Sequence, residues 1–340
     1  MNEEAIKEWF KLPIQTRKNI FNEISNKTGL PPAAVEKDWW VVRTLELVFQ
    51  MDIAPHTVFK GGTSLSKAWG LIDRFSEDID LALERSFLGF PGKLSNSQVK
   101  KLREKSCEYI SQTFSPNLHE AFRVAGFNEV EVKLMETTSD DQDPLIIEVN
   151  YSSLTDNLLY IKSRVLIEIG SRSMKEPFTV KSFCSLVGEY YIDQPFADKI
   201  ILVPTVNPER TFLEKIFLLH EEFQKPPEKI RVDRLSRHLY DIEKIMDTEF
   251  GEKALMDKNL YYNIVEHRRT ITAIRGIDYK NHSPDKINFI PHEGMKENWA
   301  KDYKKMQESM IYKDSLSFDE LLEKLTSLNR KINQISFKGK

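Results

Sequence analysis

Phe59-Lys60-Gly61-Gly62-Thr63-Ser64-Leu65, followed by Arg74-Phe75-Ser76-Glu77-Asp78-Ile79-Asp80-Leu81, is the stretch that decides how this chain is read. Thr57-Val58-Phe59-Lys60 has the character of a short strand, and residues 65–71 read as a short helix. The glycine pair between them lets the backbone approach a ligand closely. Backbone N–H groups and the hydroxyls of Thr63 and Ser64 then gather at a helix N-terminus, where peptide dipoles favour an anion such as a triphosphate. Residues 79–83 read as a second strand. Side chains alternate along a strand, so Asp78 and Asp80 share one face, about 6–7 Å apart, while Ile79 and Leu81 turn into the core. Two hard carboxylates beside a phosphate cradle suit one or two Mg2+ ions (or Mn2+), which polarise an α-phosphate and stabilise a leaving pyrophosphate. A strand–glycine–helix turn by itself is often only a tight connection, and Asp-x-Asp by itself is often a solvent-facing strand edge. Their order and spacing carry the signal together.

Outward from this stretch, residues 14–28 read as a helix closed by Gly29, and Pro31-Pro32 open another, since proline suits a first turn. Val35, Trp39, Val42, Leu45 and Phe49 recur there at helical spacing, with Lys37 and Asp38 turned elsewhere. Residues 96–123 read as helical, and residues 145–151 and 165–169 as apolar strands carrying one acid each, Glu148 and Glu168. Near residue 205 the pattern changes. Asn207 can cap a helix with Pro208 in its first turn, and Phe212, Ile216, Leu219 and Phe223 mark its buried stripe. Leu235, Leu239, Ile242 and Met246 do the same for a helix at 232–247; the rest, to about residue 330, reads as helices with loops near Pro284 and Pro291. The expected fold is therefore α+β. A mixed sheet flanked by helices occupies residues 1–205, and a mainly helical domain occupies residues 206–340.

Bulk properties exclude several classes. A net charge of -3 on 340 residues removes any overall basicity that would advertise nucleic acid. After Glu323 only basic groups follow (Lys324, Arg330, Lys331, Lys338 and Lys340), a run that reads as a solvated end. Cys107 and Cys184 make neither a disulfide framework nor a zinc quartet. The start, MNEEAIKEWF, lacks the pattern of a secretion signal, and no apolar run approaches the roughly 18 residues that span a bilayer. A cytoplasmic protein with no membrane partner is expected.

The two motifs resemble those of the nucleotidyltransferase superfamily, a Gly-Gly or Gly-Ser turn followed by Asp-x-Asp. More narrowly, the chain is similar to the AbiEii/AbiGii toxin family of type IV toxin–antitoxin and abortive-infection systems. The similarity continues in Glu36-Lys37-Asp38-Trp39, Arg210-Thr211-Phe212-Leu213-Glu214-Lys215 and Arg237-His238-Leu239-Tyr240-Asp241, and closes with Trp299, Asp302, Tyr303 and Met306. The resemblance implies a nucleotidyltransferase-like sheet domain and a helical domain completing the active-site cleft. It implies Asp78 and Asp80 as catalytic metal ligands, and a nucleotide-binding turn of Gly61, Gly62, Thr63 and Ser64 joined by Ser76. It also implies a lysine and an aspartate from the helical domain, which map onto Lys215 and Asp241. Arg234, Arg237 and Asp241 stand at i, i+3 and i+7, a polar face able to line a cleft, with Arg237 as a nucleotide contact; the plain alternative is an Arg237–Asp241 surface pair. A third metal-supporting carboxylate is expected on a neighbouring strand. Glu168 is preferred to Glu148 because an acid within an apolar strand is costly unless paired or metal-bound, and Arg172 follows it closely.

Thr63 is the preferred phosphate contact of the turn, with Ser64 either binding phosphate or capping the helix. Lys60, Lys67 and Arg74 either neutralise phosphate or are solvated. His238 reads as structural because it points off the Asp241 face. Lys37 and Asp38 are open to a buried ion pair or a catalytic part, and Trp39, Trp40, Trp69 and Trp299 read as core. The expected reaction moves a nucleoside monophosphate from an NTP to an acceptor hydroxyl; the resemblance suggests the 3′ end of tRNA as acceptor and a cognate antitoxin as partner. Nucleotide attachment to a protein side chain, and a nucleotide-binding regulator without turnover, are the alternatives.

Overall fold

A computed structural model describes residues 3–76, 78–139, 141–156, 161–175 and 177–337. Glu77 of the central motif, and Lys338 and Lys340 of the basic run, lie outside the described residues. The chain forms two compact units, one of Met1–Trp69 and Phe75–Val206, the other of Gly70–Arg74 and Asn207–Lys340. Gly70–Arg74, within the segment between the glycine turn and the aspartate strand, thus belong to the second unit, although they lie deep within the first in sequence.

The first unit is built on a seven-stranded mixed sheet: β1 (Thr57–Lys60), β2 (Asp78–Leu83), β3 (Glu131–Leu134), β4 (Leu145–Asn150), β5 (Arg164–Gly170), β6 (Phe178–Phe183) and β7 (Ile201–Val206), in the order β3-β4-β5-β2-β1-β7-β6. β2 is central. It pairs antiparallel with β1 and parallel with β5. With its flanking helices this is the expected α+β architecture. The expected strands are present; β3, β6 and β7 are additional, and their patterns explain why. β3 and β6 lie at the sheet's ends with mostly exposed or half-buried residues, and Pro204 interrupts the apolar run of β7.

Helix Ile14–Thr28 stops where Gly29 places its end, and helix Pro32–Val48 starts at the expected prolines and stops one residue before Phe49. Gly29 closes the first with φ 76°, and its N–H reaches Ser25 O at 2.9 Å. The second helix is buried on nearly every side, polar residues included. Trp9 stacks on Trp39 at 5.1 Å and Trp40 on Tyr151 at 4.7 Å, so these indoles are core. Each such side chain contributes about 2–3 kcal/mol by burial. Its polar residues act as anchors. Glu36 accepts from Leu154 N (2.7 Å), Thr155 N (3.1 Å), Ser153 Oγ (2.8 Å) and Thr155 Oγ1 (2.6 Å), holding the loop after β4. Lys37 reaches Lys162 O at 3.3 Å, whereas Asp38 takes Lys67 at 2.8 Å and Leu186 N at 2.7 Å. Asp38 thus joins a largely buried ion pair with Lys67, while the adjacent Lys37 turns to a backbone carbonyl.

In the second unit, helix Pro208–Phe223 follows Asn207 and buries Phe212, Ile216, Leu219 and Phe223 as expected. The helix expected at 232–247 instead runs Ser236–Met246. Asp302 explains the later start, since its carboxylate accepts from Arg234 N (2.8 Å), Ser236 N (3.0 Å) and Ser236 Oγ (2.5 Å) and so caps the helix from a distant part of the chain. Arg234 is held at φ 60°, outside the helix, and drops out of the expected i, i+3, i+7 face. Trp299, Tyr303 and Met306 form the buried stripe of Lys296–Ser309, the helix that carries Asp302. Among the described residues no helix is long and apolar enough to cross a membrane.

Replacing Glu36 by alanine removes the carboxylate that four donors share, and leaves Leu154 N without it. We expect Glu36→Ala to cost about 3 kcal/mol, read as a lower denaturant midpoint; an unchanged midpoint would remove the loop-anchoring role.

Candidate functional site

The register of three strands builds the first cluster. Lys60 pairs across from Asp80 in β1–β2, and Asp80 from Glu168 in β2–β5. Cross-strand partners project from the same face, so Lys60, Asp80 and Glu168 form one polar row, and alternation puts Asp78 on that face too. Burial alternates accordingly, with Ile79 and Leu81 inside and Asp78 and Asp80 half-buried. Burial first, then the charge of Asp80, pushes the Glu168 carboxyl above the ordinary range; Lys60 opposes, and Asp78 adds to the rise. Glu148, the competing acid, is tied to Arg164 and lies opposite Leu166 and Lys133. Among the described residues, no three His, Cys, Asp or Glu side chains are already gathered as a metal-ligand set.

Gly61 ends β1 at φ 79°. A Cβ there would overlap the carboxylate of Asp80, so glycine is required both by conformation and by the close approach of backbone to acid. The helical turn starts at Gly61, four residues before the expected position, and widens until Trp69 N bonds Ser64 O at 3.1 Å.

The hydroxyls of this turn have structural partners. Thr63 is buried; its hydroxyl donates to the Asp78 carbonyl at 2.6 Å and bonds Ser76 Oγ at 2.9 Å. Ser64, fully buried, donates to Gly61 O at 2.8 Å. Thr63 thus fastens the turn to the start of β2, and Ser64 neither caps the helix nor faces outward. Lys67 is bound to Asp38, which corrects its reading as a loop cation. Trp69, half-buried, donates to Val206 O at 3.1 Å and carries Lys181 over its ring.

The second cluster lies in the helical unit. Asp241 is fully buried and accepts from Arg74 Nε at 2.7 Å, Arg74 Nη2 at 2.8 Å and Lys215 Nζ at 2.8 Å. It is therefore not half of a surface pair with Arg237. Arg74, 2% exposed, is not solvated either. Burial works to raise the Asp241 pKa, but Arg74 and then Lys215 hold it far below the ordinary carboxylate range. Lys215 is itself held low, by burial first, with Asp241 opposing and Arg74 adding. The two shifts agree physically, because one carboxylate serves two cations. His238 brings Nδ1 to 3.5 Å from Lys215 Nζ, so it turns toward this cluster rather than away from it.

From sequence, Arg74 stands among the loop cations and His238 reads as structural. The partner of Arg74 stands 167 residues away, beyond the reach of any spacing argument. His238 and Asp241 stand at i and i+3 within the helix, neighbours on one face, and that spacing is the signal that points His238 toward the cluster.

A family model described as nucleotidyl transferase AbiEii toxin, type IV toxin–antitoxin system, matches residues 47–324. The chain belongs to that family. The matched span contains both clusters and excludes the first two helices. A search of curated proteins finds no match. As a member of the AbiEii family the chain is a nucleotidyltransferase toxin of a type IV system, with an NTP as substrate and a cognate antitoxin.

Two expectations follow for this AbiEii protein. Gly61→Ala forces a left-handed alanine against Asp80 and should cost at least about 2 kcal/mol, measured by denaturant unfolding; a variant as stable as the parent would rule out the close approach. Asp241→Asn removes the shared partner of two buried cations and should cost about 3–5 kcal/mol near neutral pH. Because the folded pKa of Asp241 is depressed, its contribution is fully present above the unfolded value of about 3.9 and fades as pH falls through the folded one. The gap between parent and Asp241→Asn should hold its size at about pH 5 and narrow only below about pH 4, as followed by denaturant titration at each pH.

Proposed function

We propose that this nucleotidyltransferase moves a nucleoside monophosphate from an NTP to an acceptor hydroxyl in a divalent-metal-dependent reaction, with the 3′ end of tRNA as acceptor. The observation that carries the reading is the row Lys60–Asp80–Glu168 beside a Gly61 backbone that admits no side chain, with Asp78 on the same face. Three hard carboxylate oxygen donors fit Mg2+ or Mn2+, and a cation would offset both the burial and the repulsion from Asp80 that raise Glu168. Asp78 and Asp80 would hold the ion with Glu168 in support, and when bound it supplies Lewis-acid polarisation of the α-phosphate and neutralises charge on the leaving pyrophosphate.

The chain's own groups supply the rest. The acceptor hydroxyl loses its proton to the carboxylate pair as its oxygen bonds the α-phosphorus. The bond from that phosphorus to the bridging oxygen breaks, and pyrophosphate leaves with the electron pair. The glycine turn, Gly61 and Gly62, lets backbone approach the phosphates. Thr63 and Ser76 act by fixing the start of β2, and so the direction of Asp78. Within the helical unit, Asp241 and Arg74 orient Lys215.

Purified protein incubated with α-labelled NTPs, Mg2+ and total tRNA should transfer label to RNA, and γ-labelled NTP should not. Asp78→Ala with Asp80→Ala should lower transfer by at least about a hundredfold, the scale of losing a charge-stabilising group in a transition state. Equal transfer by the double variant would overturn the role of the aspartates. Label on protein in place of RNA would replace the acceptor.

A further inference from the structure

Arg172 is a cation that the sheet unit half buries without completing its hydrogen bonds. Gly170, at the end of β5, stands two residues from Glu168 and so faces the same side of the sheet. A Cβ on Gly170 would meet Asp143 Oδ1 at 2.1 Å, which places that carboxylate on the face of the Lys60–Asp80–Glu168 row. Arg172 Nε lies 3.9 Å from the same oxygen, so the guanidinium stands there as well. Asp143 is engaged elsewhere. Its buried oxygens accept from Ser171 N at 3.1 and 3.0 Å and from Ser171 Oγ at 2.5 Å. Arg172 Nε is beyond hydrogen-bond reach of it and, among the described residues, is buried with no hydrogen-bond partner.

A buried N–H is costly to leave unmade. The side chain as a whole is 31% exposed, so a ligand can reach it. Burial disfavours its charge most; Asp143 opposes, Arg103 adds to the cost, and Glu168 and Asp141 favour the charge. An oxyanion answers both the unfilled donor and the part-desolvated charge, and the planar guanidinium fork suits phosphate oxygens.

The sheet order indicates which phosphate. β5 and β1 flank β2, so Arg172, after β5, and Gly61, after β1, lie on opposite sides of Asp80. In phosphoryl transfer the attacking and leaving oxygens stand roughly in line through phosphorus. With pyrophosphate leaving over the glycine turn, the acceptor arrives from the β5 side. We propose that Arg172 is an acceptor-binding residue, which holds a backbone phosphate of the RNA strand whose terminal hydroxyl attacks. The unfilled donor is a property of the fold; its ligand rests on the reading of tRNA as acceptor.

The probe is total tRNA, titrated into the full-length protein in chelator, without NTP, at several salt concentrations. The parent should bind, more weakly as salt rises. Arg172→Gln should weaken binding roughly tenfold or more, as for a hydrogen bond to a charged group. It should also flatten the slope of log affinity against log salt by about 0.7–0.9, the counterions of one phosphate. Arg172→Lys should keep the parent's slope, because the charge remains. In the transfer assay, KM for tRNA should rise in Arg172→Gln while KM for NTP stays within about twofold. The denaturant midpoint of Arg172→Gln should match the parent's; a large drop would make Arg172 structural and overturn the proposal. No tRNA binding by the parent, parental affinity and slope in Arg172→Gln, or a slope lost equally in Arg172→Lys would overturn it too. A loss confined to the KM for NTP would move Arg172 to the triphosphate, with the same consequence. Binding of tRNA that depends on Arg172, in a parent that transfers no label, would retain the contact and reject the transfer reading. Transfer to tRNA by a parent whose tRNA binding ignores Arg172 would do the reverse.

Discussion

The antiparallel pairing of β1 with β2, in the register that sets Lys60 opposite Asp80, is the constraint on which the sheet unit's site depends. It brings the end of one strand so close to a carboxylate that only glycine can follow Lys60. The same strand β2 pairs in parallel with β5, and that second register brings Glu168 level with Asp80. A slip of one residue in either ladder would turn these side chains to the opposite face of the sheet. Core packing opposes such a slip, since Ile79, Leu81, Ile167 and Ile169 are all buried on the other face.

The glycine turn is stabilised from within. Thr63 and Ser64 satisfy backbone carbonyls, and Thr63 also holds Ser76, so the turn and the start of β2 are joined by side-chain hydrogen bonds. Buried hydroxyls with good partners cost little and fix conformation; left unpartnered, they would each cost about 1–3 kcal/mol. The residues that resemble phosphate ligands in the sequence thus position the backbone and acids beside them.

The helical unit solves the opposite electrostatic problem. In the sheet unit, burial and then like-charged acids raise Glu168; in the helical unit, two cations depress Asp241 and crowd each other. Breaking such a buried pair from one side is far more damaging than its net contribution suggests, because the remaining partners stay buried without compensation. Asp302, from a helix about 60 residues further on, fixes where the helix of Asp241 begins and hence which side chains share its face.

Local physical chemistry made much of this legible. Glycine marked the end of the helix at 14–28 and proline the start of the next, alternation put Asp78 and Asp80 on one face, and the apolar stripe of Pro208–Phe223 lay where its periodicity placed it. These features are set by residues within a few positions of one another. What the tertiary structure alone decided involves partners far apart in sequence. The Arg74–Asp241 bond spans 167 residues, the Glu36 anchor more than 115, and the Asp302 cap more than 60. β3 and β6 became strands through pairing rather than pattern, as their side chains remain largely outside the core. Spacing can show which side chains share a face of one element, but only the folded chain determines what that face meets.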